Sequence, residues 1–363
     1  MLAEHLLGEL TGREVRVIKR DELGNSEVAP VTRLTLDREY DGIGRTVVVK
    51  SKRLVTGDWG SRGLRFNEQH ALEHLRDTGL TPRFLTGVPG ELLVMTDAGP
   101  GPTVQELLFG DDPDAATNGL VAMARAAGRL HRTANPAYAA PHEIPFLDHP
   151  LDLWPEVTQA VDELGLPVPR TSELPALAEA LRATTAFTHG DFTPNNAVLV
   201  DGEVRLIDLE GAGRRHPGLD AACLRLPFPH YGHWAVLPPS VLEQMELVYR
   251  RELDVDDSAY ELLMATGCAA WAIVRTARLR LIASSGQDAD ECVRRRTQIV
   301  QTLDSAAASV GSIYPALGAW FEELASAMRL RWTEARLPPR EFRAFNDAPP
   351  PEQPGAGRRR GPR

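Results

Sequence analysis

The chain has 363 residues, of which 43% are hydrophobic and 25% charged, a composition typical of a globular protein large enough for more than one lobe. A net charge of −10 argues against nucleic acid as the main partner, because phosphate backbones require a basic surface. No run of about 20 apolar residues is present and the N-terminus lacks a basic leader, so we expect no membrane association and a cytoplasmic location.

The first segments predict a small antiparallel sheet. Glu14–Lys19 and Val31–Leu36 alternate apolar and polar residues, and Thr46–Val49 is a compact apolar strand. Polar turns at Asp21–Ser26 and Asp37–Gly44 separate the three strands. The pattern therefore indicates an antiparallel meander.

A helix and a second strand pair follow the meander. Apolar residues recur at helical spacing over Phe66–Leu75, and Gly79 ends this segment. Short strands are predicted at Phe84–Leu85 and Leu92–Met95. The stretch Asp97–Thr103, DAGPGPT, has two glycines and two prolines and is predicted to be a hinge between two lobes.

The remainder is predicted to be mainly helical. Helices are indicated at Leu120–His131 and Leu174–Arg182, with an irregular proline-rich stretch at Asn135–Pro155 between them. Within Phe187–Asp208, two short strands joined by an Asp-Gly turn predict a hairpin. Further helices are expected from Pro238 to about Trp332.

One stretch, FTHGDFTPNNAVLVDGEVRLIDLEG, concentrates groups suited to phosphoryl transfer. Such a reaction needs a carboxylate that orients the attacking hydroxyl and accepts its proton, together with oxygen ligands for Mg²⁺. Asp191 and Asn196 share one loop and are candidates for base and metal ligand. Asp208 returns at the end of the hairpin and is a second candidate ligand, because Mg²⁺ binds carboxylate and amide oxygens while keeping several waters.

The spacing H-G-D-x-x-x-x-N followed by I-D resembles the aminoglycoside phosphotransferase and choline kinase-like family, whose members share the protein-kinase fold. The resemblance implies that Asp191 is the catalytic base and that Asn196 and Asp208 hold magnesium. It also implies that His189 supports the loop, and that Asp220, in GLDAACL, is a structural aspartate.

The resemblance extends to the first lobe. VVVKSK looks like the strand whose lysine contacts the nucleotide phosphates, which implies this role for Lys50, with Lys52 as an alternative. Glu68, in NEQHALEHL, stands where the family has the helical glutamate that pairs with this lysine, and Glu73 is its alternative. Because 37 of the 40 basic residues are arginines, the lysines at these positions stand out.

The nucleotide-covering loop departs from the family pattern. No GxGxxG lies between the first two strands, and the candidate is the turn ELGNS, where Gly24 permits close backbone approach and Ser26 can donate a hydrogen bond. The chain also lacks GxxxxGK[ST], which argues against a P-loop enzyme. Glu210, in IDLEG, is either a further metal ligand or a simple loop carboxylate.

These features together predict an α+β, bilobal protein-kinase-like fold. The expected divisions are residues 1–97 for a nucleotide-binding N-lobe, 98–345 for a C-lobe with the catalytic loop and substrate site, and 346–363 for a disordered tail. The cysteines, Cys223, Cys268 and Cys292, are far apart and are predicted to be small buried hydrophobes rather than disulfide or zinc partners.

The predicted function is transfer of the γ-phosphate of ATP or GTP to a hydroxyl of a small molecule, with Mg²⁺ as cofactor. Only 12 positions separate Asp208 from Asp220, which leaves no room for the activation loop of a protein kinase. Carboxylates in Glu243–Glu261 and Glu322–Glu334 either line a pocket for a cationic acceptor, such as an aminoglycoside or amino alcohol, or form polar helix faces. The alternatives are a nucleotide-binding pseudokinase and a structural helical protein.

Overall fold

The computed structural model describes residues 2–23, 30–51, 61–133, 138–229, 232–233, 235–283, 289–336 and 340–346. A five-stranded antiparallel sheet lies in the N-terminal part, in the order β1-β2-β3-β5-β4. Its strands are β1 (Val17–Glu22), β2 (Val31–Tyr40), β3 (Gly44–Ser51), β4 (Phe84–Val88) and β5 (Leu92–Thr96).

Helices cover both faces of this sheet. Leu7 of helix α1 (Leu2–Thr11) belongs to one hydrophobic cluster with Val47 and Val49 on one face, and α2 (Ser61–His74) covers the face that carries Val48. Residues two apart in a strand share a face, so Lys50 points to the same side as Val48, toward α2. Burial on both faces explains why β3 reads as a continuous apolar run rather than an alternating one.

The predicted meander is confirmed, but its first strand begins later than expected. Strand β1 starts at Val17 and continues through Asp21 and Glu22, which the sequence pattern assigns to a turn. Pairing with β2 extends to Glu22 opposite Thr32, and it includes a register shift just after Val17. Cross-strand pairing thus outweighs the local turn preference of the acidic residues.

Two short strand pairs lie in the C-terminal part, β6 (Ala186–Thr188) with β9 (Gly213–Arg215) and β7 (Ala197–Val200) with β8 (Glu203–Leu206). The second pair is the predicted hairpin. The helices of this part are α3 (Val104–Leu108), α4 (Pro113–Arg132), α5 (Pro145–Asp148), α6 (Trp154–Glu163), α7 (Leu174–Ala183), α8 (Gly218–Ala221), α9 (Pro239–Leu253), α10 (Asp257–Thr276), α11 (Leu279–Ala283), α12 (Ala289–Val310) and α13 (Pro315–Arg331).

Helix α10 forms the centre of the helical part. Its residues from Leu263 to Thr276 are all buried, and it packs with α12 and α13 in one hydrophobic cluster. Among the described residues, one segment, Asp257–Leu281, is long and apolar enough by composition to cross a membrane. Since 83% of its most apolar window is buried inside the protein, it has the character of a core helix.

The predicted hinge Asp97–Thr103 is held against the hairpin. The backbone N–H of Leu199 donates to Pro102 O at 2.9 Å, and Arg205 Nη1 donates to Ala98 O at 2.8 Å. A Cβ on Gly101 would lie 1.7 Å from Leu199 O, so only glycine permits this approach. The glycine and proline content therefore serves close packing between the sheet part and the helical part.

Candidate active site

The loop between β6 and β7 holds Asp191 and Asn196 together. Nδ2 of Asn196 donates to the backbone oxygen of Asp191 at 2.9 Å and to its Oδ2 at 2.8 Å. Asn196 is buried at the end of the short 3-10 turn Pro194–Asn196. A buried amide with two bonds to one residue restricts that residue's side chain, so the Asp191 carboxylate has a defined orientation.

Asp220 supports this loop by accepting hydrogen bonds from its backbone. Its Oδ2 accepts from the backbone N–H of His189 at 2.6 Å and its Oδ1 from that of Gly190 at 3.0 Å. His131 Nε2 donates to Oδ2 at 3.2 Å, while its Nδ1 accepts from the Tyr249 hydroxyl at 2.8 Å. Burial by itself raises the pKa of Asp220, but the hydrogen bond from His131 and the further contributions of His131 and His189 together outweigh burial and lower this pKa.

His189 connects the loop to the residue before Asp208. The N–H of Asp191 donates to His189 Nδ1 at 3.2 Å, so Nδ1 is the acceptor and Nε2 carries the proton that it shares with Ile207 O at 2.9 Å. Asp208 adopts a left-handed conformation, with φ 63° and ψ 56°. A non-glycine residue there stores strain, and such positions cluster at functional sites.

The two loops touch through their glycines. Gly190 has φ +81°, and a Cβ on it would lie 2.0 Å from the carbonyl oxygen of Gly211. No side chain fits between these backbones. The Asp191 loop and the turn that carries Asp208 are therefore in direct contact.

Lys50 joins the sheet to both the helix α2 and the Asp208 turn. Its Nζ lies 2.6 Å from Oε1 and 2.8 Å from Oε2 of Glu68, and 2.7 Å from Oδ1 of Asp208. Lys50 and Glu68 are both buried, whereas 43% of the Asp208 side chain is exposed.

Burial and neighbouring charges have opposing effects on the pKa values of Lys50, Glu68 and Asp208. Burial lowers the pKa of the Lys50 ammonium, but Glu68 and Asp208 outweigh burial and raise it, so Lys50 is charged. Burial raises the pKa of Glu68 to about 7 against the effect of Lys50. The pKa of Asp208 is lowered, since Lys50 overcomes its burial.

A third carboxylate completes an oxygen cluster. One carboxylate oxygen from each of Glu68, Asp208 and Glu210 lies within 4.8 Å of the others. The Glu210 backbone is fixed by Asn67, whose Nδ2 donates to Glu210 O at 3.3 Å and to His142 O at 3.0 Å. Three carboxylates around one ammonium leave excess negative charge, and hard oxygen donors fit Mg²⁺.

Other predicted residues are either outside the described part of the chain or away from Lys50. Gly24 and Ser26, predicted for the nucleotide loop, and Lys52, the alternative lysine, lie outside the described residues. Glu73, the alternative partner of Lys50, is exposed and accepts a hydrogen bond from Gln69 Nε2 at 3.0 Å. Glu68 is thus the α2 carboxylate that contacts the strand lysine.

Three residues around the site were missed by sequence reasoning. The Tyr249 hydroxyl hydrogen-bonds to His131, and Asn67 bonds the backbone oxygens of His142 and Glu210. Arg215 Nη1 donates to Gly211 O at 2.7 Å. Asn67 directly precedes Glu68, so its position next to a predicted site residue was a usable signal. The other two come from distant segments and carry no local motif.

The sheet with its paired lysine and the clustered loops define a phosphotransferase of the kinase-like class. The model of the phosphotransferase enzyme family matches residues 32–238, more than half of the chain. The chain therefore belongs to this family, and it is an enzyme, a nucleoside-triphosphate-dependent small-molecule kinase. The matched range contains the sheet lysine, its glutamate and all the loop residues described above. No curated protein sequence matches the chain.

Several solved structures are similar to this chain. Choline kinase from Cryptosporidium parvum is 14% identical with a TM-score of 0.50, covering 84% of this chain and 93% of that chain. A macrolide 2′-phosphotransferase from Brachybacterium faecium is 15% identical with a TM-score of 0.48, covering 81% and 95%. A choline/ethanolamine kinase family protein from Mesorhizobium loti is 14% identical with a TM-score of 0.42, covering 86% and 92%. The first of these shows the bilobal kinase-like fold, and the predicted fold class is confirmed.

Proposed function

We propose that this chain transfers the γ-phosphate of ATP or GTP to a hydroxyl of a small molecule. The observation that carries the proposal is the contact of Lys50 with both Glu68 and Asp208. The lysine belongs to the sheet and Asp208 to the helical part, so the contact assembles a cation and carboxylates at the junction where a nucleotide would bind. Such groups supply the electrostatic stabilisation on which phosphoryl transfer depends.

In this proposal Asp191 is the base. Its carboxylate is oriented by Asn196, whose Nδ2 donates to Oδ2 at 2.8 Å. It would accept the proton of the attacking hydroxyl and hold that oxygen in line with the phosphate. His189 and Asp220 would act as supports, because they accept hydrogen bonds from the backbone N–H groups that lead up to Asp191 and from that of Asp191 itself.

Mg²⁺ fits the oxygen donors, and Asn196 and Asp208 would hold it, with Glu210 as a further candidate. When bound, the ion neutralises the β- and γ-phosphate charge. Lys50 would contact the α- and β-phosphates, and Glu68 would keep its ammonium in place. Asp208 would release part of its contact with Lys50 as it takes up its ligand.

The proposed division of labour follows the two lobes. Residues 1–97 would form the nucleotide-binding lobe and residues 98–345 the lobe with the acceptor site, in a cytoplasmic enzyme. Two carboxylates of Glu243–Glu261, those of Glu246 and Glu261, accept hydrogen bonds from Arg225. These two carboxylates therefore share one guanidinium as their counterion.

Thermal unfolding with Mg²⁺–ATP and Mg²⁺–GTP tests the nucleotide site. Ligand at about 100 times its dissociation constant stabilises by about 2.7 kcal/mol, which shifts the midpoint by roughly a few degrees. The shift should require Mg²⁺, weaken in Asp208→Ala and persist in Asp191→Asn. Slow ATP hydrolysis should disappear in Asp191→Asn; a protein that binds nucleotide but shows no hydrolysis would be a pseudokinase.

A further inference from the structure

A buried arginine contacts both loops of the candidate site. Arg215, at the end of β9, is 4% exposed. Its Nη1 donates to Gly211 O at 2.7 Å and, at the longer distance of 3.4 Å, to Thr188 Oγ1. Gly211 ends the turn that carries Asp208, and Thr188 is the last strand residue before the Asp191 loop. One nitrogen atom therefore connects the two backbone segments that bear the proposed metal ligand and the proposed base.

An ion pair and a glycine fix the position of this guanidinium. Arg215 Nε lies 2.6 Å from Asp148 Oδ1, and Nη2 lies 3.3 Å from Oδ2, which is the two-point geometry of a guanidinium on a carboxylate. The guanidinium also packs closely over the backbone of Gly213, where a Cβ would lie 2.4 Å from Arg215 Cζ. All three guanidinium nitrogens thus have partners, and an added methyl group at Gly213 would displace them.

Asp148 belongs to a short segment that is also tied to helix α2. The backbone N–H of His142 donates to Asn67 Oδ1 at 2.9 Å, and Asn67 Nδ2 donates to His142 O at 3.0 Å. Asn67 Nδ2 lies 3.3 Å from Glu210 O as well. Side chains therefore hold the carbonyl oxygens of two successive residues in one turn, Glu210 through Asn67 and the next residue through Arg215.

We propose that Arg215, held by Asp148, is a positioning residue that sets the placement of the Asp208 carboxylate relative to that of Asp191. This inference rests on the proposed function, in which Asp208 holds Mg²⁺ and Asp191 accepts the proton. Arg215 acts through the backbone oxygen of Gly211 rather than on the reacting atoms. Hydrogen bonds behind a metal ligand orient it, so displacement of this turn should lower metal affinity and phosphoryl transfer together.

A purely structural ion pair leads to a different expectation. Loss of one partner of a buried pair lowers stability wherever the pair lies, without a specific effect on metal binding. Arg296 and Glu334 form such a pair at 2.6 Å, with side chains 15% and 24% exposed against 3% and 18% for Arg215 and Asp148. This pair joins α12 to the 3-10 turn Thr333–Arg336 and provides a matched control.

Replacement of each arginine by lysine separates the two roles. Lysine keeps the positive charge, but its single ammonium does not reproduce the planar fork that binds Asp148 and Gly211 O at once. We expect Arg215→Lys to lower the rate of Mg²⁺-dependent ATP hydrolysis roughly 10- to 100-fold, while Arg296→Lys keeps the wild-type rate. Gly213→Ala, which displaces the guanidinium without altering its charge, should lower the rate in the same direction. Reduced stability of Arg215→Lys with an unchanged rate would overturn the proposal.

The Mg²⁺ dependence of thermal unfolding at a fixed ATP concentration gives a readout that requires no hydrolysis. The midpoint of each variant is compared with its own midpoint in ATP without Mg²⁺, so that a general loss of stability cancels. The Mg²⁺ concentration for half of the increment should rise roughly 10-fold or more in Arg215→Lys and Gly213→Ala, and stay at the wild-type value in Arg296→Lys.

Two negative results have separate meanings. If wild type, Arg215→Lys and Gly213→Ala show the same Mg²⁺ dependence, Arg215 has only a structural role and the proposed function stands. If the wild-type protein shows no Mg²⁺–nucleotide increment, the proposed function itself is contradicted, and the positioning role is overturned with it.

Discussion

The ammonium group of Lys50 lies 2.7 Å from the carboxylate of Asp208, although 158 residues separate the two positions. The contact joins β3 of the sheet to the turn after β8. It depends on the inward direction of Lys50 on β3 and on the left-handed backbone at Asp208. Both elements must be in place for the candidate site to exist.

Replacing Lys50 with methionine should remove the positive charge while keeping the length of the side chain. We expect kcat/KM to fall about 10²- to 10³-fold, the usual effect of losing one preorganised electrostatic group. Stability should also fall, because buried Glu68 loses its partner. Steady-state kinetics and urea unfolding measure the two effects. Lys19→Met is the control, since Lys19 is exposed and pairs with Asp21; a similar loss in that variant would refute the assignment.

A methyl group at Gly190 should separate the Asp191 loop from the turn that carries Asp208. Gly190→Ala combines a left-handed backbone with a clash against Gly211 O. Gly202→Ala is matched, because Gly202 has φ +80° and a Cβ there meets nothing within 4 Å. We expect Gly190→Ala to cost about 1–3 kcal/mol more in free energy of unfolding than Gly202→Ala, and to abolish transfer. If denaturant titrations give the two variants the same loss in free energy of unfolding, close contact between the Asp191 loop and the Asp208 turn is not needed for stability.

Removing the Tyr249 hydroxyl should affect catalysis through His131 and Asp220. Tyr249→Phe leaves His131 Nδ1 without its donor, which should cost about 1–3 kcal/mol in stability and lower kcat severalfold. Tyr314→Phe is the matched control, because that buried hydroxyl bonds Thr266 Oγ1 at 3.0 Å, away from the Asp191 loop. It should lose stability with kcat unchanged. If both variants lower kcat alike, Tyr249 has only a structural role.

His216 should make the protein sensitive to mild acid. Burial, with a contribution from the nearby His131, lowers the pKa of His216 from 6.5 to about 4. A lowered pKa means that the folded state prefers the neutral ring, so its stabilisation is complete above pH 6.5 and is lost as pH falls toward 4. The full change corresponds to about 3 kcal/mol in free energy of unfolding.

Urea unfolding between pH 7 and pH 4 measures this change. His216→Asn keeps an acceptor for the Gly218 N–H without a titrating ring, so its stability should fall less over this range. His5→Asn replaces an exposed histidine and should behave as the wild type. A pH dependence that is the same in all three proteins would rule out His216 as its source.

Local signals account for the parts of the fold that the sequence predicts well. The hairpin β7–β8 follows from two short apolar strands and an Asp-Gly turn, and both turn residues have positive φ. Helix α1 was not predicted, because its short apolar pattern is stabilised mainly by Leu7 packing on the sheet. Helix α6 was also missed, since a proline-rich stretch precedes it and masks its start.

The sequence by itself determined the order of the reactive groups Asp191, Asn196 and Asp208, because they lie in one short stretch whose spacing reflects a loop and a hairpin. It also indicated Lys50 and Glu68 through resemblance. Only the tertiary structure decided that Lys50 meets Glu68 and Asp208, and that the Asp191 loop touches the turn that carries Asp208. Contacts between distant segments depend on the packing of the whole chain, and local spacing does not encode them.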